Sequence, residues 1–580
     1  MQKFNHSREM TRPQRKSFYL LLALVSASYV PFLNFRMIRT AGDDKVYVSQ
    51  IVEMARSGTW FLQLLNGRPD FYKGPLHYFL ARIGIALFGF HMAATVYMNF
   101  VLVLLAAVAL WDMLRRRAPN RPDRGLWLGC AFALNIGVYS FAYASQMETE
   151  LCAFYVFALY ALDRYREKTA QLEYWLIAGV MGWVKSPVYS VLLGLSGLLY
   201  WFWSGTLGAK LRAKTFWLAA ISGVLICAVG FLPGYLSAPQ GFIDTYLLRE
   251  TLNKPQVHGT WDEALVALLT FFSLPWFWFA WVSYADAGVR LLSGKIRGPA
   301  SEWMRLALSI MIPSVVFFML HPYHGQSYNL PLMGALLLFV FAFASSAGRV
   351  WGVIYKAAGV LIAITFLLLP VGITLLANRY SPLPEWWPTW LLPVVWLTGG
   401  FGALYALTRT LLFREIEWRA LAIGASGFYI SLGVFLAVLG EREMLDLRQE
   451  LKAHPTQTVV YSNLQNNQWC EGGYLNFMVD RPVRIVTREE DLFLAAKSGS
   501  LILVPDEGTL RDVLAKLNQA FTPQLGTNAK TTFEAIPWKR WTVVQWKDAD
   551  GVPLWLASWR KHDLALLERD AFMIRVHSYL

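Results

Sequence analysis

Apolar residues in this chain gather into runs of roughly 18 to 22 residues, separated by short polar connections, and a run of that length carries a helix across a hydrocarbon core of about 30 Å. The pattern predicts thirteen spans, at roughly 17–34, 93–114, 126–143, 151–163, 173–184, 187–204, 216–235, 262–284, 304–320, 329–346, 352–372, 389–408 and 420–439. Lys3, Arg8, Arg12, Arg15 and Lys16 precede the first run. Ser26-Ala27-Ser28 has the small residues of a signal-peptidase site, but apolar sequence continues through Tyr29–Leu33, so the run reads as an uncleaved first span.

Charge in the connections alternates. Basic residues collect at Arg115-Arg116-Arg117 with Arg121 and Arg124, at Arg164, Arg166 and Lys168, and at Lys210, Arg212 and Lys214. They collect again at Arg290, Lys295 and Arg297, at Arg349 and Lys356, and at Arg409, Arg414 and Arg419. The connections near 144–150, 321–328 and 373–387 hold almost none. By the positive-inside rule the N-terminus is expected in the cytoplasm and the C-terminus outside. Residues 76–90 are apolar but short and contain Arg82. Counting them as a span would put the triple arginine outside, so they are assigned to a juxtamembrane or re-entrant helix. The stretch 35–92 then becomes one charged outer loop, and such a loop against a membrane is a candidate site.

After Gly440 the pattern changes. Helical periodicity over Glu441–Ala453 gives way to strand-like runs at Thr458–Ser462, Pro482–Val486 and Ser500–Val504. Helical stretches at Arg488–Lys497 and Thr509–Ala520 alternate with them, which predicts a small soluble α/β domain. The expected architecture is an α-helical polytopic membrane domain over 1–440, with its outer loop 35–92, followed by a soluble α/β domain over 441–580.

Composition agrees: 56% of the 580 residues are hydrophobic and 16% charged, with mean hydropathy +0.37. That leaves far fewer charges than the roughly 25% of a soluble domain. The net charge of +14 comes from the clusters between spans, so topology explains it and a nucleic-acid partner is not implied. Cys130, Cys152, Cys227 and Cys470 form neither a disulfide framework nor a CxxC metal pair.

Three stretches offer ionisable groups on the outer side. In Gly42-Asp43-Asp44-Lys45-Val46-Tyr47 a carboxylate is placed to take a proton from a hydroxyl or to orient an acceptor phosphate, and either Asp equally suits the N-cap of a helix starting near Val46. In Phe71–Tyr78, Lys73 is placed to meet a phosphate at headgroup depth or simply to snorkel. The third set is dispersed: Gln146–Glu150, Lys185-Ser186-Pro187, Arg249-Glu250, His258 and His321–Pro331. Their shared side suggests a cavity. His258, His321 and His324 are open to a divalent metal, although no HxxxH or HExxH spacing supports one.

The order Asp43-Asp44-x-x-Tyr47, Ser57-Gly58-Thr59-Trp60, Asn66-Gly67 and Tyr72-Lys73-Gly74-Pro75-Leu76-His77-Tyr78 resembles the first outer loop of the aminoarabinose lipid A transferases. These belong to the polyprenyl-phosphate-sugar-dependent glycosyltransferases of GT-C type, which include the protein O-mannosyltransferases. Val184-Lys185-Ser186-Pro187 and Tyr328-Asn329-Leu330-Pro331 echo two further stretches of that family. The resemblance implies Asp43, with Asp44 beside it, as the catalytic carboxylate and Lys73 as the binder of the donor phosphate. It also implies Tyr47, Tyr328 and Lys185 as members of the same substrate cavity, in a bacterial inner membrane with the site and C-terminal domain in the periplasm; Arg249, from the dispersed set, is expected to join Lys73 at the donor phosphate. The expected partners are a polyprenyl-phosphate-linked sugar and a membrane lipid or glycan acceptor. An oligosaccharide ligase or polymerase of the same fold, or a lipid or glycan transporter, remains the alternative. Tyr72 and Gly74 replace Glu and Pro of the family's Glu-Lys-Pro-Pro, so neither a metal nor the identity of the sugar carries over.

Overall fold

In lipid no water satisfies backbone N–H and C=O groups, so long apolar runs must close their hydrogen bonds internally as helices. The computed structural model describes residues 10–34, 44–165, 168–252, 261–293, 299–320, 326–379, 388–413 and 415–453, and discontinuous stretches between 455 and 559. Every one of the thirteen expected intervals contains helix. Seven described helices are long and apolar enough to cross a membrane individually, or eight if the bent pair Pro122–Ala133 and Ile136–Ala142 counts as one span.

Two intervals expected as continuous spans are interrupted. The interval 126–143 bends by 56° where Asn135 leaves the helical conformation and its side chain accepts from the Val138 N–H at 2.9 Å, capping the second piece. The interval 262–284 separates into Trp261–Leu269 and Phe277–Leu292, joined by a turn containing Ser273-Leu274-Pro275. Pro275 has no N–H to continue the ladder. The helix expected over Glu441–Ala453 is instead the end of one 36-residue helix, Trp418–Ala453, because the strong helix formers after Gly440 carry the last span onward.

The chain divides into two compact units. The first comprises Met1–Asn34, Tyr72–Ala81 and Val96–Val438 and is helical. Within it, Leu172–Val184 and Lys214–Ser237 cross at paired glycines: a Cβ on Gly179 would overlap the carbonyl of Gly223, and one on Gly223 would lie 2.5 Å from the Trp175 carbonyl oxygen. Small residues at such a crossing let the backbones approach where lipid offers no hydrophobic drive for association. The other face of Lys214–Ser237 exposes Leu218, Ile221, Val224, Leu225, Val229 and Leu232, a stripe suited to acyl chains and not to water. The triple arginine does more than set topology. Arg115 and Arg116 pair with Asp112, Arg117 and Arg116 with Asp163, and Arg117 with Glu302 at 2.8 Å, which ties three helices together at one end of the bundle.

The second unit comprises Phe35–Phe71, Arg82–Thr95 and Leu439–Leu580. Here the outer-loop motifs acquire structural reasons. The helix Asp44–Ser57 ends at Gly58, whose φ of +73° is the left-handed conformation of a helix C-terminus. Asn66 (φ +55°) and Gly67 (φ +73°) form the turn between two short antiparallel strands, β1 (Leu64–Leu65) and β2 (Arg68–Pro69). Glu53 holds that turn by accepting from the Asn66 N–H at 2.7 Å and the Gly67 N–H at 2.8 Å. Burial raises the Glu53 carboxyl above its ordinary range, against the pull of those two donors. Thr59 and Trp60 receive Arg82, through a 3.0 Å hydrogen bond to the Thr59 carbonyl and a guanidinium 4.9 Å from the Trp60 ring centre.

The strands β3 (Val459–Ser462), β4 (Val483–Val486) and β5 (Leu501–Val504) stand where the alternation predicted them and pair in parallel, with helix Glu489–Lys497 between β4 and β5. Three strands not anticipated follow: β6 (Phe533–Pro537), β7 (Trp541–Lys547) and β8 (Pro553–Trp559). They complete a mixed sheet in the order β4-β3-β5-β8-β7-β6, with β8 parallel to β5 and the last two pairs antiparallel. The helix Asp44–Ser57 is packed onto this C-terminal region. Arg56 donates to the Val483 carbonyl at 2.6 Å and to the Asn476 side chain, and a Cβ on Gly473 would lie 2.5 Å from Ser49 Oγ.

Replacing Gly179 with Val should force the two crossing helices apart, at a cost of about 1–3 kcal/mol. The unfolding temperature in detergent should fall, whereas Gly208→Ala, whose Cβ meets open space, should leave it unchanged.

Candidate functional site

The helical unit concentrates buried charge at one end, around the segment Tyr72–Tyr78. Lys73 is only 6% exposed. Its ammonium donates to Glu250 Oε2 at 2.6 Å and sits 3.8 Å from the centre of the Tyr72 ring. Arg249 approaches the same carboxylate, Nε to Oε1 at 3.3 Å, and its guanidinium lies 5.8 Å from the Tyr72 ring centre. Tyr72 is thus a π surface for two cations. The carboxylate absent at position 72 is supplied beside Lys73 by Glu250, from the far segment Ile243–Leu252.

Gly74 fixes where this cluster sits. Its N–H donates to the Lys185 carbonyl at 3.2 Å, and any Cβ would overlap the Trp183 carbonyl. Proline would bring a Cβ and remove the donor, which accounts physically for the departure from the family pattern. The acceptor is free because the helix Leu172–Val184 stops there. Pro187 starts the next helix at its first position, with the Ser186 side chain accepting from the Val188 N–H as N-cap. At that break the Lys185 ammonium donates to Glu148 Oε1 at 2.6 Å and lies 4.8 Å from the Tyr328 ring centre, while Ser327 Oγ adds a 3.2 Å bond to the same carboxylate oxygen.

One turn beyond Lys73, His77 lies between Glu150 (Nδ1 to Oε1, 2.7 Å) and Ser145 (Nε2 to Oγ, 2.9 Å), with all three side chains buried. The Glu150 Oε2 atom is buried and has no hydrogen-bond partner among the described residues. Three carboxylates, Glu148, Glu150 and Glu250, thus meet four basic partners, Lys185, His77, Lys73 and Arg249, and the first two carboxylates open the helix Glu148–Arg164.

Of the residues expected from sequence, the fold brings Lys73 and Arg249 into one cluster and Lys185 and Tyr328 into another, with the Gly74–Lys185 backbone bond joining their segments. Asp44, the first residue of its helix, and Tyr47 on the following turn are buried in the second unit. Asp43, His258, His321 and His324 lie outside the described residues. The sequence reading passed over His77, Ser145 and the counter-ion roles of Glu148, Glu150 and Glu250. Its one available signal was an acidic residue in otherwise apolar outer connections, which must find a cation once buried. For a divalent metal, the carboxylates present are already committed to Lys73, Lys185 and His77, and no three ligating side chains converge among the described residues. These residues do not fit a metal site.

Residues 72–233, which open on this cluster, match the family described as dolichyl-phosphate-mannose-protein mannosyltransferase. The apo crystal structure of ArnT from Cupriavidus metallidurans aligns with a TM-score of 0.63 at 18% identity, over 90% of this chain and 96% of that one. The structure of the same protein bound to undecaprenyl phosphate aligns with a TM-score of 0.60 at 18% identity, over 91% and 97%. The chain has the fold of ArnT, which is of GT-C type, and its residues 72–233 carry the match to that mannosyltransferase family. The structural likeness carries the fold, and the family match carries the segment that holds Lys73, Glu148 and Lys185. Comparison with curated proteins yields no sequence match.

His77→Leu should leave Glu150 and Ser145 without their shared partner and cost the folded protein about 2–4 kcal/mol. His77→Gln, which keeps one polar contact, should recover part of the loss. Thermal unfolding in detergent measures both, and equal melting of parent and His77→Leu would show the pair to be energetically silent.

Proposed function

We propose that this chain is a glycosyltransferase that moves a sugar from a polyprenyl-phosphate donor to a lipid A-type or other periplasmic acceptor, with inversion at the anomeric carbon. The observation that supports this reading is a buried cation, Lys73, backed by Arg249 across one aromatic ring, at the start of the segment that matches the dolichyl-phosphate-mannose-protein mannosyltransferase family. A departing phosphate is stabilised by positive charge held in place before reaction begins, and a water-poor setting strengthens that effect.

In the proposed step an acceptor oxygen attacks the anomeric carbon as the bond from that carbon to the phosphate oxygen breaks. The electron pair leaves with polyprenyl phosphate, whose new charge meets Lys73 and Arg249. The acceptor proton passes to Asp43, with Asp44 and Tyr47 shaping that end of the loop; the order of motifs in the sequence supports these three assignments. Lys185 and Tyr328 extend the cationic and aromatic lining. The undecaprenyl phosphate found in ArnT makes the same carrier the first donor lipid to test here. The setting proposed is a bacterial inner membrane, with a cytoplasmic N-terminus and the site on the periplasmic face.

Lipids and glycans from cells with and without the protein, compared by mass spectrometry, should differ by one sugar on one acceptor; a difference of a whole glycan would point to a ligase. In purified protein, Asp43→Asn should lower turnover by about 100-fold or more. Turnover within a few-fold of the parent would remove Asp43 from the chemistry. Lys73→Ala should weaken donor binding together with activity.

A further inference from the structure

Glu250 holds Lys73 and Arg249 with one carboxylate oxygen each, at 2.6 and 3.3 Å. That is how two oxygens of a phosphate would engage the same pair of cations. We propose that Glu250 is an internal competitor for the donor phosphate: its carboxylate occupies the anion position between Lys73 and Arg249, yields to the incoming lipid phosphate, and returns to expel the product. The proposal rests on the reading of Lys73 as the donor-phosphate binder.

Three observations support it. First, Lys73 is too deeply buried to stand without a counter-ion between turnovers, since an unpaired ammonium there is strongly unfavourable. Second, the two buried lysine–carboxylate pairs are built differently. Glu148 is held by Lys185 and by Ser327, a neutral hydroxyl that stays with it. The Glu250 carboxylate instead engages Lys73 and Arg249, the two cations a phosphate would also meet, and among the described residues no neutral hydroxyl donates to it. Third, Glu250 has somewhere to go. It lies in Ile243–Leu252, which is wound as a π-helix, the wide turn that recurs at functional sites, and its side chain is 12% exposed.

A competitor also shapes turnover. The released polyprenyl phosphate carries one more negative charge than the phosphodiester donor and would bind its own cations too well. A carboxylate that recaptures Lys73 limits that product inhibition, in the way that a ligand's apparent affinity falls when the competent state is only partly populated.

Binding of undecaprenyl phosphate to the detergent-purified full-length protein tests this, together with steady-state kinetics. Glu250→Gln should bind undecaprenyl phosphate about tenfold more tightly, and both donor KM and kcat should fall as product release slows. Glu250→Asp keeps the charge on a shorter reach and should fall between Gln and the parent. Where Gln fails to fold, the comparison of Asp with the parent decides alone. Weaker or equal binding by these variants, while Lys73→Met abolishes binding, would make Glu250 a constituent of the site and overturn the proposal. Unchanged binding by Lys73→Met would instead overturn the donor-phosphate reading beneath it.

Discussion

The arrangement of this protein depends on one constraint: a charge taken into a low-dielectric helical bundle must have a partner there. Each buried carboxylate at one end of the bundle is assigned a basic group from a different segment, Glu148 to Lys185, Glu150 to His77 and Glu250 to Lys73. A lone ion in such a place is far more costly than any of these pairs is favourable, so the pairs act as registration marks. They dictate which helix ends meet. The helix Glu148–Arg164 shows this at both its ends, with Glu148 and Glu150 in its first turn and Asp163 near its last, about 22 Å apart along the axis. The first pair of acids meets the site and the last meets the arginine cluster.

Packing and site chemistry meet in glycine. Gly74 has no room for a side chain and uses its N–H to hold the Lys185 carbonyl, which joins the two lysine-bearing segments through backbone alone. Its geometry follows from how Leu172–Val184 ends, with Pro187 and the Ser186 cap starting the next helix and leaving a carbonyl outside the ladder. A small local rule about helix termini thereby sets where the two lysine-bearing segments meet.

The outer-loop motifs divide into two kinds. Gly58, Asn66-Gly67 and Glu53 are explained by turn and cap geometry, and the resemblance to relatives at these positions is a likeness of fold. Tyr72, Lys73 and Arg249 have no such structural necessity. A buried lysine beside a half-exposed arginine on one aromatic ring is an arrangement that turn and cap geometry do not require, and it is the feature on which the proposed phosphate binding rests.

The sequence by itself determined the membrane class, the positions of the helices, the first three strands of the C-terminal sheet and the segments that carry polar groups, because each depends on local properties: run length, charge alternation and periodicity. It also picked out Lys73, Lys185, Arg249 and Tyr328. Only the tertiary structure decided which acid meets which base, since Lys73 and Glu250 are separated by most of the first half of the bundle, and no periodicity encodes a pairing across it. The same holds for the breaks within two expected spans, where Asn135 and Pro275 look like ordinary residues of an apolar run until the neighbouring helices require a bend. The late strands β6 to β8 escaped for a related reason. An antiparallel extension gains its stability from the parallel strands it joins, and that partner lies far back along the chain.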